Sequence, residues 1–224
     1  MHRASAVILS FRRIGNLPQI LGSLLGLEWV EDIIVWHNAR TLLKRWQLGG
    51  VAEASERVSI INCPENKYTW GRFLACRACE NRRILIQDDD VLVMNWAEIA
   101  EAWEPESIAA GMREGHLAQD WRYHWGEAHE VLLGWGSVVD ARMVDCIFKP
   151  YIEKYGHDEV LTRKADRIFS ILHGHQHATL KSRFVQLPGA NRDGVALYTL
   201  PDHERLTNEA RRRALGLLGI EYHG

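Results

Sequence analysis

Three aspartates in succession, Asp88, Asp89 and Asp90, follow the apolar run ILIQ at 84–87. Neighbouring side chains on an extended chain point to opposite faces, so Asp88 and Asp90 share one side and Asp89 takes the other. At about 4 Å and an effective dielectric near 20, two carboxylates on one side repel by on the order of 4 kcal/mol. That is enough to raise a pKa unless a cation or donors compensate. A divalent ion compensates economically, because Mg2+ and Mn2+ take hard oxygen ligands and commonly complete their shells with water and substrate phosphates. The chemistry implied is metal-assisted handling of a diphosphate. An isolated D-x-D is more often a solvated acidic turn. Here the triplet ends a buried strand, and in open α/β sheets the carboxyl ends of strands are where ligands bind.

Other residues could also do chemistry. HGHQH places His173, His175 and His177 at alternate positions, a spacing that suits metal ligation on a strand, and His175 is a further candidate for the metal site. Gly174 in the same stretch is placed to end a helix, with His173 in its last turn. Cys76 and Cys79 form a C-x-x-C inside an apparent helix with no second ligand pair, which reads as two buried thiols. The aromatic segment WRYHWGEAHEVLLGW holds Trp121, Tyr123, His124, Trp125 and Trp135 and suits either a stacking platform or a small core under a loop. Glu127, His129 and Glu130 beside it are acceptor-side candidates, whereas Trp29, Trp46, Trp96 and Trp103 read as core. Arg211, Arg212 and Arg213 read as a solvated face of the last helix.

The elements that must position these groups alternate between strands and helices, which predicts an α/β sandwich. AVILSF, DIIVWHN, VSIINC and ILIQ are the first four strands. NLPQILGSLLGLE is the first helix, with Asn16 placed to cap it and Pro18 in its first turn. TLLKRWQLGG is a short helix stopped by Gly49 and Gly50, and residues 72–83 form the next one. WAEIAEAWE is helical, IAAGM and HEVLLGWGSVV are strands, and helices follow at about 140–155 and 157–172. A long loop, VQLPGANRDGVALYTLPDH, precedes a final amphipathic helix; loops of this length are commonly functional lids or disordered.

At 224 residues and 46% apolar content the chain can build one sizeable domain, and 27 basic against 29 acidic side chains leave no overall field favouring nucleic acid or membrane. No apolar stretch approaches the ~20 residues of a membrane span, so the expectation is a cytoplasmic protein.

VILSFRR, IIVWHNAR, the ENK before an RF pair, ILIQDDDV, LLGWG and ADRIFSIL occur in the order and approximate spacing of the exostosin-type (GT64-like) glycosyltransferases. The resemblance covers residues 5 to about 180. It implies a GT-A type fold: a Rossmann-like mixed central sheet flanked by helices in a single domain over 1–224. Residues 5–95 would be the nucleotide-sugar half, 96–180 the acceptor and catalytic half, and 181–224 a lid loop and C-terminal helix. It implies a UDP-sugar donor, Mn2+ or Mg2+, a glycan or other hydroxyl-bearing acceptor, and retention of anomeric configuration. A nucleic-acid base as acceptor and an inactive nucleotide-sugar-binding module are the alternatives.

The resemblance also carries roles. Arg12 or Arg13 would lie beside uracil or diphosphate, Asn38 and Asn66 would bond the nucleoside, and Arg72 would hold donor phosphate or sugar. Asp88 and Asp89 would reach sugar and ribose hydroxyls, with Asp88 also near the metal that Asp90 binds directly. Gly134 would let the donor or acceptor approach closely. Asp166 would face the anomeric carbon as nucleophile or electrostatic stabiliser, with Arg163 beside it as a second catalytic candidate. Ala165 stands where the family has another acidic residue, which leaves Asp158 or Glu159 as alternatives for that role.

Overall fold

The structure, a computed structural model, describes residues 2–112, 124–125, 128–174, 177–181, 183–190 and 196–222. Its strands are β1 (Ala4–Ser10), β2 (Val30–His37), β3 (Val58–Asn62), β4 (Arg83–Asp88), β5 (Val91–Val93), β6 (Ile108–Met112), β7 (His124–Trp125), β8 (Ala128–His129), β9 (Trp135–Asp140), β10 (His177–Lys181) and β11 (Phe184–Gln186). The helices are α1 (Leu17–Leu25), α2 (Gly50–Ala54), α3 (Trp70–Cys76), α4 (Trp96–Glu101), α5 (Met143–Tyr155), α6 (Glu159–His173) and α7 (His203–Leu217). Seven strands form one sheet in the order β10-β6-β9-β4-β1-β2-β3, mixed because β9 runs antiparallel to both of its neighbours.

Both faces of that sheet are covered, which explains why its strands are apolar almost without interruption. Alternate residues divide between two cores. Ala4, Ala6 and Ile8 of β1 and Ile33 and Val35 of β2 pack with α1 and α4 on one side. Val7, Ile34 and Trp36 pack with α3, α5 and α6 on the other. The parallel strands finish in register, Leu9 opposite Asp88, Ser10 opposite His37 and His37 opposite Asn62, so their carboxyl ends share one rim.

Two features then set the site. β11 returns antiparallel to β5, pairing Gln186 with Val91, and Leu187 N–H donates to the Asp90 carbonyl at 2.8 Å. The segment after β11 is thereby fastened to the aspartate turn. In α6 the helix breaks at Lys164 (φ −129°, ψ 23°), and Ala165 N–H donates to Thr69 Oγ1 at 3.0 Å instead of bonding along the helix. A buried N–H keeps a partner across the break, and the following turn swings Asp166 toward the rim.

Several expectations are corrected here. The helix expected over 72–83 runs from Trp70 and ends at Cys76. Asn16 does not cap α1 through its side chain; its amide donates to the carbonyls of Asp89 and Pro188 at 2.8 and 3.0 Å. Trp46 is 65% exposed, outside both cores, whereas Trp96 and Trp103 are buried. The basic run of α7 is not simply solvated: Arg211 reaches buried Glu130 at 2.9 Å, and Arg213 reaches Asp158 at 2.5 Å.

Candidate active site

A cleft of about 1240 Å³ opens along the carboxyl ends of β1, β2 and β4 and is closed on its far side by α6 and residues 196–203. Arg12, Arg13, Asn38, Asn66, Arg72, the three aspartates, Gly134, Arg163 and Asp166 all line it.

The triplet divides as the alternation of an extended chain requires. Asp89 turns inward, its side chain 2% exposed, and accepts from Phe11 N–H at 2.6 Å and from Arg13 at 2.8 Å. Burial pushes its carboxyl up to about 6 against the pull of Arg13. With both oxygens engaged inside the protein, Asp89 fixes the loop after β1. Asp88 and Asp90 face the cleft, at 30% and 18% side-chain exposure. Burial and the neighbouring Asp88 push Asp90 up to about 7, the repulsion anticipated for carboxylates on one side.

Arg72 is 1% exposed and links two of these acids. Its Nη2 lies 2.7 Å from Asp88 Oδ1, and its Nε lies 3.2 Å from Asp166 Oδ1. Nη1 is buried with no hydrogen-bond partner among the described residues. Burial opposes the Arg72 charge, but Asp166 and Asp88 more than offset it, so the guanidinium is held firmly cationic. Asp166 is pushed up to about 7 by burial, with Arg72 opposing. Gly134 is the floor of this arrangement. Its carbonyl accepts from Asp88 N–H at 2.8 Å, and a Cβ at this position would sit 2.0 Å from Asp88 Oδ2. Its role here is therefore to make room for the Asp88 carboxylate.

The other expected residues are distributed as follows. Arg13 donates from Nε to Gly189 O at 2.8 Å and from Nη2 to Ala190 O at 3.2 Å, and Nη2 lies 3.3 Å from Asp90. It thus ties the triplet to the segment after β11. Arg12 is exposed, at φ +63°, with its guanidinium over the Phe11 ring. Asn38 is buried: Oδ1 accepts from Trp36 Nε1 and Lys67 N–H, and Nδ2 donates to Tyr68 O. Its side chain shapes the loop before α3. Asn66 Oδ1 accepts from Tyr68 N–H at 2.8 Å within the same loop. Arg163 donates to Glu159 at 2.8 Å and to the Pro201 carbonyl at 3.2 Å.

Asp158 caps α6 by accepting from Leu161 N–H and binds Arg213, and Glu159 is engaged by Arg163, so neither replaces Asp166 in the cleft. Glu130, an acceptor-side candidate, is buried between Arg167 and Arg211 and serves as their counter-ion. His175 lies outside the described residues, as do Trp121, Tyr123, Glu127 and the side chains of His124, Trp125, His129 and His177. Cys76 is buried and burial pushes its thiol up to about 12, an inert group.

Sequence reading did not single out His37, Thr69, Lys164 or His203. His37 is buried, with Nδ1 3.1 Å from Ser10 Oγ and Nε2 3.1 Å from the Thr41 carbonyl. Burial lowers its pKa, so it is neutral, with Nε2–H donating to the carbonyl and Nδ1 accepting from the hydroxyl. Each of these roles depends on at least one partner 27 to 96 positions away in sequence, and no local pattern announces it.

No protein-family model and no curated protein matches the sequence. Solved structures do match in fold. A mannosyltransferase from Pyrobaculum calidifontis, solved with GDP-Man and Mn2+, superposes with TM-score 0.59 at 13% identity over 97% of this chain and 74% of its own. The galactosyltransferase LgtC, solved with donor and acceptor sugar analogues, gives 0.55 at 10% identity over 92% and 95%. Glucosyl-3-phosphoglycerate synthase from Mycobacterium tuberculosis gives 0.53 at 11% over 100% and 82%. At these identities the likeness is one of fold: the chain has the GT-A architecture, a single α/β domain built on a mixed sheet.

Proposed function

We propose that this chain is a metal-dependent retaining glycosyltransferase of exostosin-like kind, moving a sugar from a UDP-sugar to a hydroxyl of a glycan-type acceptor. The observation that carries the reading is the linkage Asp88, Arg72, Asp166 across a cleft at the carboxyl ends of parallel strands. In this reading residues 5–95 hold the donor, 96–180 supply the acceptor side and Asp166, and 181–224 close over the cleft.

Asp88 and Asp90 fit a hard divalent cation. They are two carboxylates facing one cleft, and burial together with the charge of Asp88 raises Asp90. Among the described residues no three His, Cys, Asp or Glu side chains converge, so water and diphosphate oxygens would complete the shell. Mn2+ or Mg2+, held by Asp90 with Asp88, would neutralise charge on the departing diphosphate. Arg72 positions both Asp88 and Asp166, and its buried Nη1 is a charged donor with no hydrogen-bond partner among the described residues. Asp166, when ionised, faces the positive charge that develops on the anomeric carbon. In the reaction the bond from anomeric carbon to diphosphate oxygen breaks with its electron pair on the diphosphate, and a bond to the acceptor oxygen forms. The acceptor proton leaves with the diphosphate. Asp166 serves either as the nucleophile of a double displacement or as the stabiliser of a front-side path.

The test is UDP release from a panel of UDP-sugars with Mn2+, followed by NMR. Wild-type turnover at least 100-fold above Asp166→Asn and Asp90→Asn supports the reading. Nucleotide binding without turnover of any UDP- or GDP-sugar would leave a binding module in place of an enzyme.

A further inference from the structure

Lys164 is 4% exposed, lies at the break in α6 and lines the cleft. It has no carboxylate partner within ion-pair distance among the described residues. Its hydrogen-bond partner is His203 Nδ1, 2.9 Å from Nζ, at the start of α7. The neighbouring cations are treated differently: Arg72 has Asp88 and Asp166, and Arg163 has Glu159. A buried ammonium without a counter-ion is costly, and proteins retain such charges where a ligand supplies the opposite sign.

His203 cannot supply it. Burial and the charge of Lys164 hold its imidazole down near 4, so it is neutral. Nδ1 is also 2.9 Å from the Leu197 carbonyl, and one nitrogen cannot both accept from the ammonium and donate to the carbonyl. While Lys164 is charged, the lone pair of Nδ1 faces it, orienting Nζ without neutralising it and leaving two N–H groups for another partner.

We propose that Lys164, oriented by His203, is a binding subsite for an acidic group, a phosphate or carboxylate, carried by the acceptor. Lys164 stands two positions before Asp166 on α6 and its Nζ meets His203 of α7, whereas the carboxylates assigned to the donor diphosphate stand at and just after the end of β4. The inference rests on the glycosyltransferase reading and narrows its acceptor to an anionic one. Arg163 and Arg167 also line the cleft, but each is paired with a carboxylate, Glu159 and Glu130, which leaves Lys164 as the cation of this helix without an ion-pair partner among the described residues.

The experiment titrates inorganic phosphate, and separately UDP with Mn2+, into wild type, Lys164→Met and Lys164→Arg by calorimetry. The expected result is phosphate affinity at least tenfold weaker in Lys164→Met and recovered in Lys164→Arg, with UDP–Mn2+ affinity within about twofold throughout. In parallel, the acylation rate of Lys164 in the wild-type protein is expected to fall at least threefold with saturating phosphate, a readout independent of any variant's folding. Phosphate binding unchanged in Lys164→Met, or no protection of Lys164, would overturn the subsite. Parallel loss of UDP–Mn2+ and phosphate binding would assign Lys164 to the donor diphosphate and overturn the acceptor assignment. Failure of the glycosyltransferase reading looks different: wild type would bind no nucleotide diphosphate while phosphate still protected Lys164.

Discussion

Arg72, buried on α3, places Nη2 2.7 Å from the Asp88 carboxylate at the end of β4, sixteen positions later in sequence. Removing one partner of a buried ion pair leaves an uncompensated charge. In Arg72→Met, Asp88 and Asp166 lose their shared cation. The expected outcome is a loss of ~3 kcal/mol in unfolding free energy, measured by urea titration at neutral pH. A change below ~0.5 kcal/mol, the range of an ordinary surface substitution, would mean that Arg72 does not hold these carboxylates.

Asp90 carries the opposite sign. Its folded pKa of about 7 lies above the carboxylate value of 3.8 that an unfolded chain shows. Between those values the native state binds more protons than the unfolded one, so stability falls as pH rises from about 4 to about 7. Asp90→Asn is expected to raise the apo-protein's Tm by about 2–4 °C at pH 7.5 and to flatten its fall over that window. Thermal melts across pH 4.5–8 check both; an unchanged slope counts against the assignment.

Gly134 is needed because any Cβ would occupy the Asp88 carboxylate, 2.0 Å away. Gly134→Ala must push Asp88 off Arg72 and is expected to cost about 1–3 kcal/mol and to weaken UDP–Mn2+ binding at least tenfold. Gly22→Ala is the control. It lies within α1 with nothing inside 4 Å of the added methyl, and it should be neutral or stabilise by up to ~1 kcal/mol.

Thr69 accepts the Ala165 N–H released by the break in α6. Thr69→Val keeps the shape and removes the acceptor, orphaning a buried donor at a cost of about 1–3 kcal/mol. Because the break aims Asp166, turnover should fall further than UDP–Mn2+ affinity, a split that separates displacement of Asp166 from general loosening of the donor side. Equal loss in both would refute the positioning role.

The sheet and its main helices were legible because two-sided burial writes continuous apolar runs at the first four strands and a three-to-four spacing along α1, α6 and α7. Elements held by pairing alone were not legible. β11, with Val185 exposed, carries little apolar signal yet clamps the aspartate turn. In the site, the division of the triplet follows from alternation, but the partners of Asp89 do not. Phe11 and Arg13 are 78 and 76 positions away, and nothing local says that an aspartate will be neutralised inside. Asn38 shows the converse limit. A polar side chain at a strand end invites a ligand role, and here the fold already draws three hydrogen bonds from it. Lys164 was hidden because a lysine within a helical repeat reads as solvated until the break turns it into the cleft.

The central claim is that Asp88 and Asp90 bind a nucleotide diphosphate through a divalent ion. The most direct measurement is the thermal shift produced by UDP with and without Mn2+ in wild type, Asp90→Asn and Asp166→Asn, since a ligand that binds only the native state raises its apparent stability. The account predicts stabilisation by UDP with Mn2+ that is abolished in Asp90→Asn and kept in Asp166→Asn. Stabilisation by UDP that ignores the metal and survives Asp90→Asn, or none in the wild type, would contradict it.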